Sequence, residues 1–201
     1  MAATRSVAVL GVLVSIGCAS TSMTSVPAPE LSGRSFNSIL VIANFADLGI
    51  RRETELRFAN GRTGGSTRFV PSSGVLFPGR QYSQAELADV LREHRIDATL
   101  VITPGDAGAS AGYVPPTYTS GCTVWTSTGG CQQVTTTTSG GYNYSKPWAQ
   151  FTAQLYDVHS GRVVWYATAT TGGNAYASAN TLVRSMAAKT LERLGADRVI
   201  R

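Results

Sequence analysis

Apolar and polar positions divide this chain into segments with distinct periods. From Ser38 to Phe45 the run SILVIANF is β-branched and nearly continuous in apolar character, as in a strand covered on part of both faces. A weaker helical stretch follows from about Ile50 to Asn60, with Leu56 and Ala59 as inward positions and Gly61 as its stop. The segment Thr67 to Pro71 reads as a short strand. Ser83 and Glu86 then have capping-box spacing, which predicts a helix from Gln84 to about His94 with Leu87, Val90 and Leu91 as its buried stripe. Ala98 to Thr103, ATLVIT, is a second core strand.

Further on, Phe151, Ala153 and Leu155 alternate with Gln150, Thr152 and Gln154. The turn YDVHSGR joins that half-exposed strand to a second one, Arg162 to Thr170, which makes an antiparallel hairpin. A closing helix places Leu182, Val183, Met186, Thr190, Leu191 and Leu194 on one side and stops at Gly195. The fold class is therefore α/β (α+β), with helices packed on a sheet.

Between Ala107 and Tyr156 the chain has no acidic residue, and Lys146 is its only base. Residues 105–147 form a Thr, Ser, Gly and Tyr-rich insertion, with Pro115 and Pro116 early and TTTTSGG late. This is an extended loop or hairpin, and its length requires some β pairing.

The first eighteen residues carry the address. Arg5, then the run VAVLGVLVSI, then Gly17 and Cys18 make a basic start, a short apolar stretch and a small processing residue. That is a secretory signal, too short to cross a bilayer as a helix. A cysteine directly after it resembles the lipobox of bacterial lipoproteins, in which it receives lipid and becomes the new N-terminus. The family's usual Leu or Val three residues before the cysteine is Ser15 here. The resemblance implies a signal peptide over 1–17, lipidation with palmitate-type chains at Cys18, and membrane anchoring without a span. Acyl chains contribute about 0.8 kcal/mol per buried methylene, so two or more hold a protein stably. Ala19, which is not Asp, resembles the outer-membrane sorting pattern and implies the periplasmic face of that membrane. Residues 18–36, rich in Ser, Thr and Pro, read as a flexible tether, leaving 37–201 as a single domain.

Charge excludes some classes of function. The net charge is +5, and losing Arg5 leaves 16 basic against 12 acidic residues, scattered but for the pair Arg51 and Arg52. No nucleic-acid surface is expected from so dispersed a set. With Cys18 lipidated, Cys122 and Cys131 remain as an even pair in an oxidising compartment, and a disulfide is expected between them. Its short loop would contribute on the order of 3 kcal/mol. No metal and no cofactor are expected, since the spacing fits no ligand motif and the chain has 2 histidines.

The sharpest enzyme signal is GASAG, Gly108 to Gly112, with Ser110 central and Asp157 and His159 downstream in hydrolase order. A nucleophile elbow needs a helix after the serine, and Pro115 and Pro116 forbid one there. His94 sits at a helix end, where it complements the dipole. Glu53 with Glu55, and Glu86, Asp89 and Glu93, have the spacing of helix-surface carboxylates. Gly172, Gly173 and Asn174 precede a helix and could hold an anion, although capping is the commoner use.

The opening strand SILVIANF with its helix, the segment ELADVLREHRIDATLVITPG and the hairpin QLYDVHSGRVVWYATA with a closing helix together resemble a group of bacterial lipoproteins. The group comprises CsgG, LpoB and the N-terminal domain of TolB. The resemblance covers about Asn37 to Leu194 and implies a fold, a mixed three-to-five-stranded sheet with helices packed on it, rather than a role. The expectation is a non-catalytic, membrane-anchored lipoprotein, a protein-binding or accessory component of the envelope with no small-molecule substrate. Tyr113, Tyr118, Trp125, Tyr142, Tyr144 and Trp148 are its candidate partner-binding residues, because rings on an uncharged stretch give contact area at low entropy cost. Two alternatives are an oligomeric secretion-pore-like lipoprotein using the same insertion, which alternates poorly for a spanning hairpin, and a serine hydrolase using Ser110.

Overall fold

The computed structural model describes residues 17–31, 33–61, 65–125 and 131–201, with the side chains of 120–125, 131–135 and 137 excepted. The signal peptide expected over 1–17 lies, up to residue 16, outside the described residues. In chain order the elements are β1 (Ala19–Pro27), β2 (Ser38–Ala43), α1 (Leu48–Ala59), β3 (Arg68–Pro71), α2 (Gln84–Glu93), β4 (Ala98–Trp125), β5 (Cys131–Asp157), β6 (Val163–Gly173) and α3 (Ala179–Ala196). They form one mixed sheet in the order β1-β6-β5-β4-β2-β3, six strands where three to five were expected. β2 runs parallel to β3 and β4, and the other pairs are antiparallel.

The core lies between this sheet and α1 with α3. Ile39 and Val41 of β2, Leu100 and Ile102 of β4, Leu155 of β5 and Trp165 of β6 pack in one cluster with Phe58 of α1 and with Met186 and Leu194 of α3. Each such buried side chain contributes about 1.5–3 kcal/mol. On β6, residues 165, 167, 169 and 171 are buried and 166, 168 and 170 exposed, so at this strand the sheet has a helix-covered face and an open one, whereas β2 is covered on both, Leu40 as fully as Ile39 and Val41.

The extra strand is β1. It pairs with β6 along its whole length, from Ala19 opposite Gly173 to Pro27 opposite Trp165, where a flexible tether was expected. Its inward hydroxyls bond to the fold instead of burying apolar surface. Thr21 Oγ1 lies 2.8 Å from both Thr171 Oγ1 and Ser185 Oγ, and Ser25 Oγ donates to Asp197 Oδ2 at 2.6 Å. Asp197 Oδ2 also accepts from the indole of buried Trp165 at 2.8 Å.

The helices correct three expectations. In α1 the inward residues are Thr54, Glu55 and Phe58, while Leu56 is exposed. Glu55 is drawn in because its carboxylate accepts from Ala43 N, Ser73 N, Ser72 Oγ and Arg51 Nε, which sets the rotation of the helix. α2 has the expected capping box, Ser83 N to Glu86 Oε2 at 2.8 Å and Glu86 N to Ser83 Oγ at 3.2 Å. Its stripe of Leu87, Val90 and Leu91 is nevertheless only half-buried, because an open cleft of about 740 Å³ runs beside Leu87 and Leu91. α3 passes through Gly195 and ends one residue later. Arg198 supplies the left-handed turn at φ 57°, with Arg198 N bonded to Gly195 O and Val199 N to Leu194 O. This is a Schellman ending made without glycine, and α2 ends the same way through Arg95 at φ 52°.

Candidate functional site

β4 and β5 outgrow the sheet. β2 pairs with β4 only as far as Ile102, and β6 pairs with β5 only from Trp148 onward, but β4 and β5 stay paired to Trp125 and Cys131. Past a bulge between Pro104 and Ala107, and beyond Gly108 and Trp148, they form a two-stranded ribbon about 55 Å long at ~3.3 Å per residue. The insertion read as a loop or hairpin is thus a paired ribbon over its described length. Its outer edges have no strand neighbour among the described residues, and such a ribbon alone is marginally stable in water.

The register sorts the candidate rings onto faces. Gly108 pairs with Trp148, Ser110 with Lys146, Gly112 with Tyr144, Val114 with Tyr142 and Tyr118 with Thr138. Directly opposed residues share a face, so Trp148, Tyr144, Tyr142 and Tyr118 lie together on one side, continuous with the open face of the sheet. Tyr113, opposite Asn143, is on the other side. Trp125 ends β4, and its side chain lies outside the described residues. Tyr113, Tyr118 and Tyr142 are exposed, whereas Tyr144 and Trp148 are half-buried.

The half-burial comes from glycines. A Cβ on Gly108 would lie 3.1 Å from Cζ2 of Trp148, and the site of a Cβ on Gly112 is taken by the ring of Tyr144. Each ring of β5 lies across a bare backbone on β4, and Lys146 Nζ sits 5.1 Å from the centroid of the Tyr144 ring. The two glycines of GASAG are therefore beds for aromatic rings. The whole motif lies inside β4, with no turn and no helix after it.

The other sequence-singled residues are not brought together with Ser110. Its Oγ donates to Lys146 O at 3.4 Å, while Asp157 pairs with Ala98, twelve residues back along β4 or about 40 Å. Asp157 is buried and organises the β5–β6 turn, accepting from Ser160 Oγ at 2.9 Å, His159 N at 3.2 Å and Arg34 Nη2 at 3.3 Å. Burial works against its charge, but the bonds from Ser160, His159 and Arg34 outweigh it and hold the carboxyl below the ordinary aspartate range. Glu53 pairs with Arg57, Glu86 with Arg80 and Asp89 with Arg92. His94 is the C-cap of α2. At the expected anion position the N–H of Asn174 is bonded to Cys18 O at 2.9 Å, and α3 is capped by Ser178. Among the described residues no group of three or more His, Cys, Asp or Glu could hold a metal, and no helix is long and apolar enough to cross a membrane.

The expected disulfide is not found. The register sets Cys122 opposite Val134 and Cys131 opposite Trp125. Their backbones are thus three residues apart along the ribbon, about 10 Å, beyond the Cα separation that a disulfide spans.

No family model matches this chain, and no curated protein matches it. Among solved structures it is similar to the PelC dodecamer of Paraburkholderia phytofirmans, at 18% identity over 90% of this chain and 99% of that one, with a TM-score of 0.50. The likeness is one of fold. A single-residue variant of that dodecamer matches at 19% identity over 88% of this chain and 98% of the other, with a TM-score of 0.48. The lipoprotein GNA1162 of Neisseria meningitidis matches at 14% identity over 79% and 98%, with a TM-score of 0.42. The expected placement beside CsgG, LpoB and TolB is narrower than this likeness supports.

Sequence reasoning missed two features of the site. One is β1, which removes the tether. The other is Tyr176, an exposed ring on the turn next to Cys18, where a Cβ on Gly17 would meet Tyr176 O. The ring beds had a legible signal: Gly108 and Gly112 are spaced by four, as are Tyr144 and Trp148.

Proposed function

We propose that this chain is a non-catalytic lipoprotein of the bacterial envelope, anchored by lipid on Cys18, whose ribbon docks a protein partner. One observation carries the reading. Exposed Cys18 directly precedes β1, and β1 starts at the end of the sheet from which the ribbon leaves, Ser20 opposite Gly172 and Gly172 opposite Trp148. A lipid there holds the domain against the membrane with no linker and sets the root of the ribbon at the bilayer surface. The secretory pattern around Arg5 and VAVLGVLVSI supports the same reading.

The outer part of the ribbon, with exposed Tyr113, Tyr118 and Tyr142 and no acidic residue, is the docking surface. A photoreactive residue at Trp125 in the native envelope should give one specific adduct with another protein. Dispersed or absent adducts would overturn the docking role. A second reading, an oligomer joined through the ribbons, is favoured by their unpaired outer edges, and self-adducts would select it. Esterase activity that disappears in Ser110→Ala would instead restore the hydrolase alternative.

A further inference from the structure

The end of the sheet that carries Cys18 has its own composition. Cys18 is level, within about two residues or ~7 Å along the strands, with Trp148, Lys146 and Tyr144 on β5, two strand spacings or ~10 Å away. Tyr176 is on the turn that hydrogen-bonds the backbone of Cys18 through Asn174 N. Three rings and one cation thus share the end of the sheet with the anchoring residue, the Trp148 and Tyr144 rings lying one strand further off over β4, and between Ala107 and Tyr156 there is no carboxylate to repel a phosphate layer, Asp106 being the one that β4 carries.

From this we infer that Trp148, Tyr144 and Tyr176, with Lys146, form an interfacial collar that seats the domain in the headgroup layer of the bilayer holding the lipid. The inference rests on Cys18 being the anchor. Trp and Tyr suit that layer because the ring body is apolar and its polar edge stays hydrated, and a lysine nearby pairs with lipid phosphate. With no tether, one lipid attachment fixes position but not tilt, and the collar supplies the tilt. The glycine beds hold Trp148 and Tyr144 in place, so little side-chain freedom is lost on contact.

Fluorescence quenching tests this in the full-length protein reconstituted into phosphatidylethanolamine and phosphatidylglycerol vesicles containing lipids brominated near the headgroup. In Trp125→Phe the remaining indoles are Trp148 and Trp165. Trp165 is buried and pairs with Pro27, nine residues or about 30 Å from Cys18. The expected result is at least twofold quenching, absent in Trp125→Phe with Trp148→Phe and reduced by Tyr144→Ser with Tyr176→Ser. No quenching in vesicles that retain an acylated protein overturns the collar alone, and undiminished quenching in the double tyrosine variant overturns the role of the rings. An unmodified Cys18 in the mass of the native N-terminal peptide overturns the anchor, and the collar with it.

Discussion

Tyr144 lies across Gly112, its ring occupying the place where any other residue on β4 would carry a Cβ. This cross-strand pair ties the ribbon's register to its aromatic face. A one-residue slip would set the ring over Tyr113 or Ala111 and turn the face over. The Hα signals of Gly108 and Gly112 should therefore be shifted upfield by the rings above them. In Tyr144→Leu the shift at Gly112 should vanish while that at Gly108 remains, as read by two-dimensional NMR. Gly112→Val should expel the Tyr144 ring at little cost in stability, because the atoms displaced are the free end of a side chain.

Deleting residues up to Pro27 tests whether β1 belongs to the fold. A protein starting at Ala28 leaves β6 as an open edge from Trp165 to Gly173 and removes Ser25 from Asp197. An unprotected edge of this length invites strand addition. Size-exclusion chromatography should show the shortened protein self-associating, whereas one starting at Ala19 stays in a single small species.

Glu55 predicts the largest loss from a single side chain outside the apolar core. It is fully buried and takes bonds from Ala43 N, Arg51 Nε, Ser72 Oγ and Ser73 N, joining α1 to the end of β2 and to the turn after β3. Glu55→Ala leaves those donors unpaired and should cost about 3 kcal/mol in urea unfolding. Glu55→Gln keeps an acceptor and should cost less.

Asp157 makes stability depend on pH in one direction. Its folded carboxyl titrates below the ordinary range, so its contribution is present above the unfolded value of about 3.9 and is lost as pH falls through the folded value. The difference in unfolding temperature between wild type and Asp157→Asn should be widest near neutrality and close in acid below about pH 4. A gap that grows on acidification would contradict the assignment.

Much of the fold was legible because its signals are local. The capping box of Ser83 and Glu86, the alternation from Gln150 to Leu155 and the hairpin after Asp157 each act over a few residues, and each stands where the pattern put it. The inward face of α1 was not legible, because the acceptor that turns Glu55 inward serves donors from β2 and from the turn after β3. The aromatic residues could be named in advance, but not which of them would share a face.

Local rules of period, capping and composition determined the helices, the core strands and the β5–β6 hairpin. Tertiary structure alone decided that a Ser and Thr-rich stretch becomes β1, because its bonds reach Thr171, Ser185 and Asp197, some 150 or more residues away. It also decided that Gly108 and Gly112 meet Trp148 and Tyr144, since register across a long hairpin follows from pairing and not from neighbours in the chain. Polar side chains carry little signal of burial until their distant partners are in place.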